Sequence, residues 1–127
     1  MLEGFTVFNF NEGVPYASVT KNGITFNKGT VMKLRYPEHV VFLINAEKKQ
    51  FALQVCDMQT PNAMSFCTPE KRNGNVLSIR WNSRDMLNTI SGIMGWDLSK
   101  AAYKVEGKAL LEESAMLFDM NAAIELN

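Results

Sequence analysis

Ile24-Thr25-Phe26-Asn27 and Ile79-Arg80-Trp81-Asn82 follow one pattern, an alternating extended run that ends on asparagine and leads into helical spacing. The two stretches match at a constant offset through Ile24 and Ile79, Phe26 and Trp81, Asn27 and Asn82, and Val31 and Met86. Apolar, strand-like runs follow each of them. One β-α-β-β unit alone leaves an apolar face and unpaired strand edges, and a second unit covers both. The repeat therefore predicts an α+β, mostly β fold. It is one small barrel built from two units, at about residues 16–57 and 75–120 of a single domain spanning 1–127, with two short helices and an extra N-terminal strand. A chain of 127 residues is long enough to bury its own core without a disulfide or a structural metal.

Local signals fill in this frame. Phe8 and Phe10 share one face of a strand over residues 5–10, and residues 16–20 read as another. Lys21-Asn22-Gly23 is a tight turn, because Asn and Gly both tolerate positive φ. Asn27 is placed to cap a helix over 28–36, with Val31, Leu34 and the stem of Arg35 facing inward. Pro37 ends that helix, since a residue before proline is driven out of the helical region. The continuous apolar run 40–44 predicts a strand buried on both faces. Phe51, Leu53 and Val55 alternate with Ala52, Gln54 and Cys56, which predicts a half-buried strand.

Residues 57–63, containing Pro61-Asn62, are the linker between the halves. A short strand over 64–68, a charged turn over 69–75 and a strand over 76–81 come next. Asn82 is the expected cap of the second helix, with Asp85 favourable in its first turn. Met86, Leu87, Ile90, Ile93 and Met94 give that helix its apolar spacing, and Gly92 and Gly95 weaken its end. A strand over 101–105, a turn at Glu106-Gly107-Lys108, a strand over 115–118 and a terminal helical turn complete the order.

Residues 19–55 resemble the swapped-hairpin family of AbrB and MazE. The segment Val19-Thr20-Lys21-Asn22-Gly23-Ile24-Thr25-Phe26-Asn27-Lys28 is similar to that family's V-T-x-K-G-x-I-T-I-P signature. A short helix follows at the right distance, and Pro37-Glu38-His39-Val40 stands where the family has a polar turn. The resemblance implies two interlocked units forming one barrel, here carried in tandem on one chain as in MraZ. It also implies a DNA-binding transcriptional regulator that contacts double-stranded DNA through Lys21, Lys28, Lys33 and Arg35, with Arg80 and Arg84 at or near the equivalent places in the second half. The chain departs from the pattern at Asn27, where the family often has proline, and its second half lacks the Thr-Lys-Gly turn.

Thirteen Lys and Arg balance thirteen Asp and Glu, so no global basic charge drives nucleic-acid binding. The charge is locally uneven. Lys21, Lys28, Lys33 and Arg35 form one stretch free of acids, Lys71, Arg72, Arg80 and Arg84 form another, and residues 106–125 are mostly acidic. The alternative reading is a non-enzymatic protein-interaction module that has lost DNA binding, a monomer or weak homodimer.

No enzymatic constellation stands out. His39 is the single histidine, and no serine or cysteine has an evident base beside it. Cys56 and Cys67 match no zinc or redox spacing, so no catalytic residue, metal or cofactor is expected. Glu112 and Glu113 point to opposite faces if extended. Met86, Met94, Met116 and Met120 read as core filling, and Trp81 and Trp96 as anchors of the second helix. Met1-Leu2-Glu3-Gly4 has no signal-peptide pattern, and no apolar run approaches the ~18 residues of a membrane span, so a cytoplasmic protein is expected.

Overall fold

The computed structural model describes residues 2–4, 13–68 and 78–126. The chain runs through β1 (Tyr16–Thr20), β2 (Gly23–Asn27), α1 (Lys28–Lys33), β3 (His39–Asn45), β4 (Gln50–Cys56), β5 (Met64–Ser65) and β6 (Ser78–Trp81). It continues through α2 (Arg84–Met94), β7 (Ala102–Leu110), β8 (Ala115–Asp119) and β9 (Ile124–Leu126), with 3-10 turns at Leu111–Glu113 and Met120–Ala122. The strands form one antiparallel sheet in the order β5-β3-β4-β8-β7-β1-β2-β6, with β9 added to β7. The fold is mostly β, and the sheet curls into a half-barrel. Its two margins approach each other where the Trp81 indole on β6 donates to the Ser65 carbonyl of β5 at 3.2 Å.

Alternation along the strands decides which face closes inward. Ala17 and Val19, Ile24 and Phe26, Phe51 and Leu53, Ile79 and Trp81, and Met116 and Phe118 are all buried. Phe26 lies at the centre, with ring centroids 5.1 Å from Trp81 and 5.8 Å from both Phe66 and Phe118. Phe51 stacks on Phe118 at 4.8 Å. Val31 and Leu34 seal the core from α1, and Leu87 and Ile90 from α2. Met116 and Met120 are core residues, and Met86 and Met94 pack against the core.

Two strand pairings set inward-facing apolar residues opposite one another. β2 and β6 cross at Thr25 and Arg80, with Ile24 facing Trp81 and Phe26 facing Ile79. β4 and β8 cross at Ala52 and Leu117, with Phe51 facing Phe118 and Leu53 facing Met116.

Asn27 does more than cap α1. Its Oδ1 accepts from the Thr30 amide at 3.1 Å, the Thr30 hydroxyl at 2.9 Å and the Tyr16 amide at 2.8 Å, while Nδ2 donates to the Val14 carbonyl at 2.7 Å. It ties the helix start to the entry of β1. Asn27→Ala is therefore expected to cost about 2 kcal/mol, the upper end for a helix cap, read as a lowered urea midpoint with an unchanged slope.

Several sequence expectations are corrected. α1 ends before Tyr36 because a Schellman wrap closes it: Arg35 N–H donates to Met32 at 2.9 Å, Tyr36 N–H donates to Val31 at 3.0 Å, and Arg35 and Tyr36 take φ of 64° and 53°. This turns Arg35 out to solvent instead of inward. The second helix is capped by Ser83, whose hydroxyl accepts from the Met86 amide at 3.2 Å, and not by Asn82. The tight turn consists of Lys21 and Asn22 alone, and Gly23 already belongs to β2, paired with Thr20.

The run 40–44 forms β3 as expected, but only Val40 is buried, because β5 covers no more than His39 and Val40. Residues 106–108 are the middle of the long strand β7, not a turn. Only Met64 and Ser65 of the 64–68 segment are strand. The C-terminal turn is a short 3-10 piece that continues into β9. Glu112 and Glu113 sit in a 3-10 turn, both exposed. The expected strand over 5–10, the turn over 69–75, and Lys71 and Arg72 lie outside the described residues.

Candidate nucleic-acid interface

The outer face of the β2–β6 pair is polar because the inward positions take the apolar residues. Thr25 and Asn27 lie outward on β2, and Ser78 and Arg80 lie outward on β6. Arg80 is exposed, and its Nε donates to the Thr25 hydroxyl at 3.2 Å. One donor fixes the side chain over the strand pair, and the rest of the guanidinium fork stays open to solvent. Its stem passes over Gly23, where an added Cβ would lie 3.3 Å from Arg80 Cγ.

Cations stand at both ends of this ribbon. Lys28 follows Asn27 as the first residue of α1 and is exposed. At the Gly23 end, Lys21 on the β1–β2 turn and Arg84 at the start of α2 line one cleft, together with Asn88, Ser91, Trp96 and Asp97. The four residue steps from Gly23 to Asn27 span about 14 Å of strand, so Arg80 sits between two positive ends. The Asp97 carboxylate in the cleft is engaged locally, accepting from the Ser99 hydroxyl at 2.6 Å and facing Lys100 Nζ at 3.9 Å. Trp96 is half-buried and stacks on Tyr103 at 3.9 Å, which fixes the cleft wall.

Lys33 and Arg35 belong elsewhere. Both line a second cleft beyond the C-terminal end of α1, bounded by Pro37, Val55, Leu111 and Ala115. Of the six cations selected from the sequence, then, Lys21 and Arg84 share a cleft, Arg80 lies over the adjoining strands, Lys28 stands at the far end, and Lys33 and Arg35 face a mainly apolar hollow.

One juxtaposition escaped the sequence reading. The register sets His39 opposite Cys56 on β4 and opposite Ser65 on β5, so imidazole, thiol and hydroxyl share one row of the outer face. The fold thus sets a cysteine and a serine beside the histidine, neighbours that linear spacing did not display. The strand alternation on either side of residues 45–50 was the signal that paired residue 39 with residue 56. Among the described residues no group of three His, Cys, Asp or Glu side chains is placed to hold a metal ion.

The fold and site define a mostly β half-barrel protein with a basic ribbon on its outer face. No protein-family model matches the chain, and neither a curated protein nor a solved structure matches it. Among the described residues no helix is long and apolar enough to cross a membrane.

Proposed function

We propose that this chain is a DNA-binding transcriptional regulator of the swapped-hairpin type, with two tandem units closing one barrel. The strand exchange supports the swapped reading. β1 of the β1–β2 hairpin pairs with β7 of the β7–β8 hairpin, and β5 pairs with β3 of the β3–β4 hairpin. In each case a strand ahead of one half's helix lies against the trailing hairpin of the other half. The crossings at Thr25–Arg80 and Ala52–Leu117 support a two-fold relation between the halves.

The observation that carries the DNA reading is Arg80 set between Lys28 at one end of the ribbon and Lys21 with Arg84 at the other. Such a row follows a phosphate backbone: lysines supply point charges and the arginine forks bind phosphate oxygens bidentately. Groove shape and a small number of base contacts then supply any sequence preference. The balanced net charge implies modest affinity that rests on this local row.

Titration of a labelled duplex tests the reading. With three or four phosphates neutralised, binding weakens roughly 40- to 150-fold between 50 and 200 mM salt. Lys28→Ala with Arg84→Ala lowers affinity at least about tenfold at 50 mM salt and flattens the logarithmic salt slope by about 2. Absence of salt-sensitive binding at low salt would sink the proposal. The protein-interaction reading would then take precedence, and the exposed apolar pair Leu43 and Ile44 favours it.

A further inference from the structure

We infer that the free edge of β3 docks a second copy of this chain, antiparallel and in register about Leu43. The inference is independent of the DNA reading.

β5 covers only His39 and Val40 along this margin, and the Phe66 amide donates to the Glu38 carbonyl at 2.8 Å. In a strand the amide and carbonyl of one residue point to the same side, and successive residues alternate. With Glu38 and Val40 turned toward β5, Phe42 and Ile44 present their backbone groups on the same margin past the end of β5. Among the described residues no strand pairs with them there. The equivalent margin of β7 is occupied, since the Gly107 amide donates to the Pro15 carbonyl at 2.9 Å just ahead of β1. Among the described residues, one trailing hairpin has its edge capped along most of its length and the other only at His39 and Val40.

The β3 edge carries none of the usual protection. His39–Asn45 holds no lysine, aspartate, glutamate or proline, and its register with β4 runs without a bulge. Leu43 and Ile44 are 46% and 40% exposed. The outer face continues as an apolar row from Leu43 to Ala52 and Leu117.

A second copy fits this edge better than an arbitrary strand because the edge is self-complementary. Pairing about Leu43 sets Phe42 opposite the partner subunit's Ile44, and Ile44 opposite the partner subunit's Phe42. Phe42 and Ile44 then both exchange amide and carbonyl bonds at once. Leu43 meets the partner's Leu43 at the close, non-hydrogen-bonded position. The same register points the Lys48-Lys49 turn of one copy toward the β5 end of the other, the end that carries the partner subunit's Glu38, so the facing ends differ in charge. A shift by one residue would leave Phe42 or Ile44 unbonded. An interface built on one short strand is small, so the dimer is weak and concentration-dependent.

Sedimentation velocity over a concentration series reads the dimer, and a cysteine crosslink reads its register. In a Cys56→Ser background, Leu43→Cys is expected to form a disulfide-linked dimer under mild thiol oxidation at least tenfold faster than Leu117→Cys. In the proposed dimer the two Leu117 strands stand five strand spacings apart, about 24 Å. Ile44→Lys is expected to sediment as a monomer at every concentration with an unchanged circular dichroism spectrum. If Ile44→Lys fails to fold, the crosslink comparison decides alone. A dimer that persists in a folded Ile44→Lys protein overturns the inference. So does a Leu43→Cys crosslink no faster than that of Leu117→Cys, or a parent chain that stays monomeric throughout.

Discussion

Gly23→Ala is expected to lower the unfolding free energy by about 3 kcal/mol, combining backbone strain with overpacking. Gly23 has φ of 144°, which a residue with a Cβ rarely adopts. An added Cβ would also press on the Trp81 carbonyl oxygen, a backbone atom of the neighbouring strand. A flexible side chain could turn aside, but that oxygen moves only if β6 moves with it. β6 carries both the Trp81 ring that closes the core and the Arg80 side chain over the ribbon. The substitution should therefore lower the urea midpoint and weaken duplex binding together. A loss under about 0.5 kcal/mol, the size of an ordinary surface change, would mean that β6 does not approach β2 this closely.

Phe26→Ala is expected to cost about 4 kcal/mol, within the range for removing a buried phenylalanine. Its ring touches aromatic partners from three directions: Phe66 beside β5, Trp81 on β6 and Phe118 on β8. These partners stand on three separate parts of the chain, so the vacated space cannot be filled by the collapse of one element. Domains of this size have stabilities of about 5–15 kcal/mol, so the variant should lose a large part of its folded population on mild heating. Leu111→Ala, at a position 74% exposed, serves as the comparison and should stay within about 0.5 kcal/mol of the parent. Equal thermal midpoints for Phe26→Ala and Leu111→Ala would overturn the placement of Phe26 at the centre of the core.

The inward faces of β2 and β6 were legible because they are written in alternation. Ile24, Phe26, Ile79 and Trp81 occupy inward positions, and the strands that carry them pair with one another. Asn27 was legible as a cap because a short side-chain acceptor ahead of a helical run has few other uses, but its bonds to Val14 and Tyr16 depend on β1 and carry no local signal. Gly107 shows where local reading fails. Between Glu106 and Lys108 it resembles a turn, yet it lies within β7, where glycine is called for because Met116 and Phe118 occupy the space a Cβ would need, at 2.9 and 3.0 Å. That demand comes from β8 and cannot be seen in a local window. The early end of α1 was hidden for a related reason, since Arg35 and Tyr36 take left-handed conformations usually left to glycine or asparagine. Of the candidate site, the residue types were visible, but their grouping was not. Nothing in the spacing separates Lys21 and Arg84, which converge across the β1–β2 turn, from Lys33 and Arg35, which face another hollow.

The pairing of β1 with β7 also sets conditions on synthesis. β1 can pair with β2 early, but Tyr16 lies opposite Glu106, so the other edge of β1 must wait for most of the chain to leave the ribosome. Closing so long a loop costs entropy before any contact repays it, which places this topology among slow folders. Until then Val19, Ile24 and Phe26 stay open to water. A nascent chain stalled before residue 106 would be a substrate for chaperones and proteases, even though it already carries one complete β-α-β-β stretch.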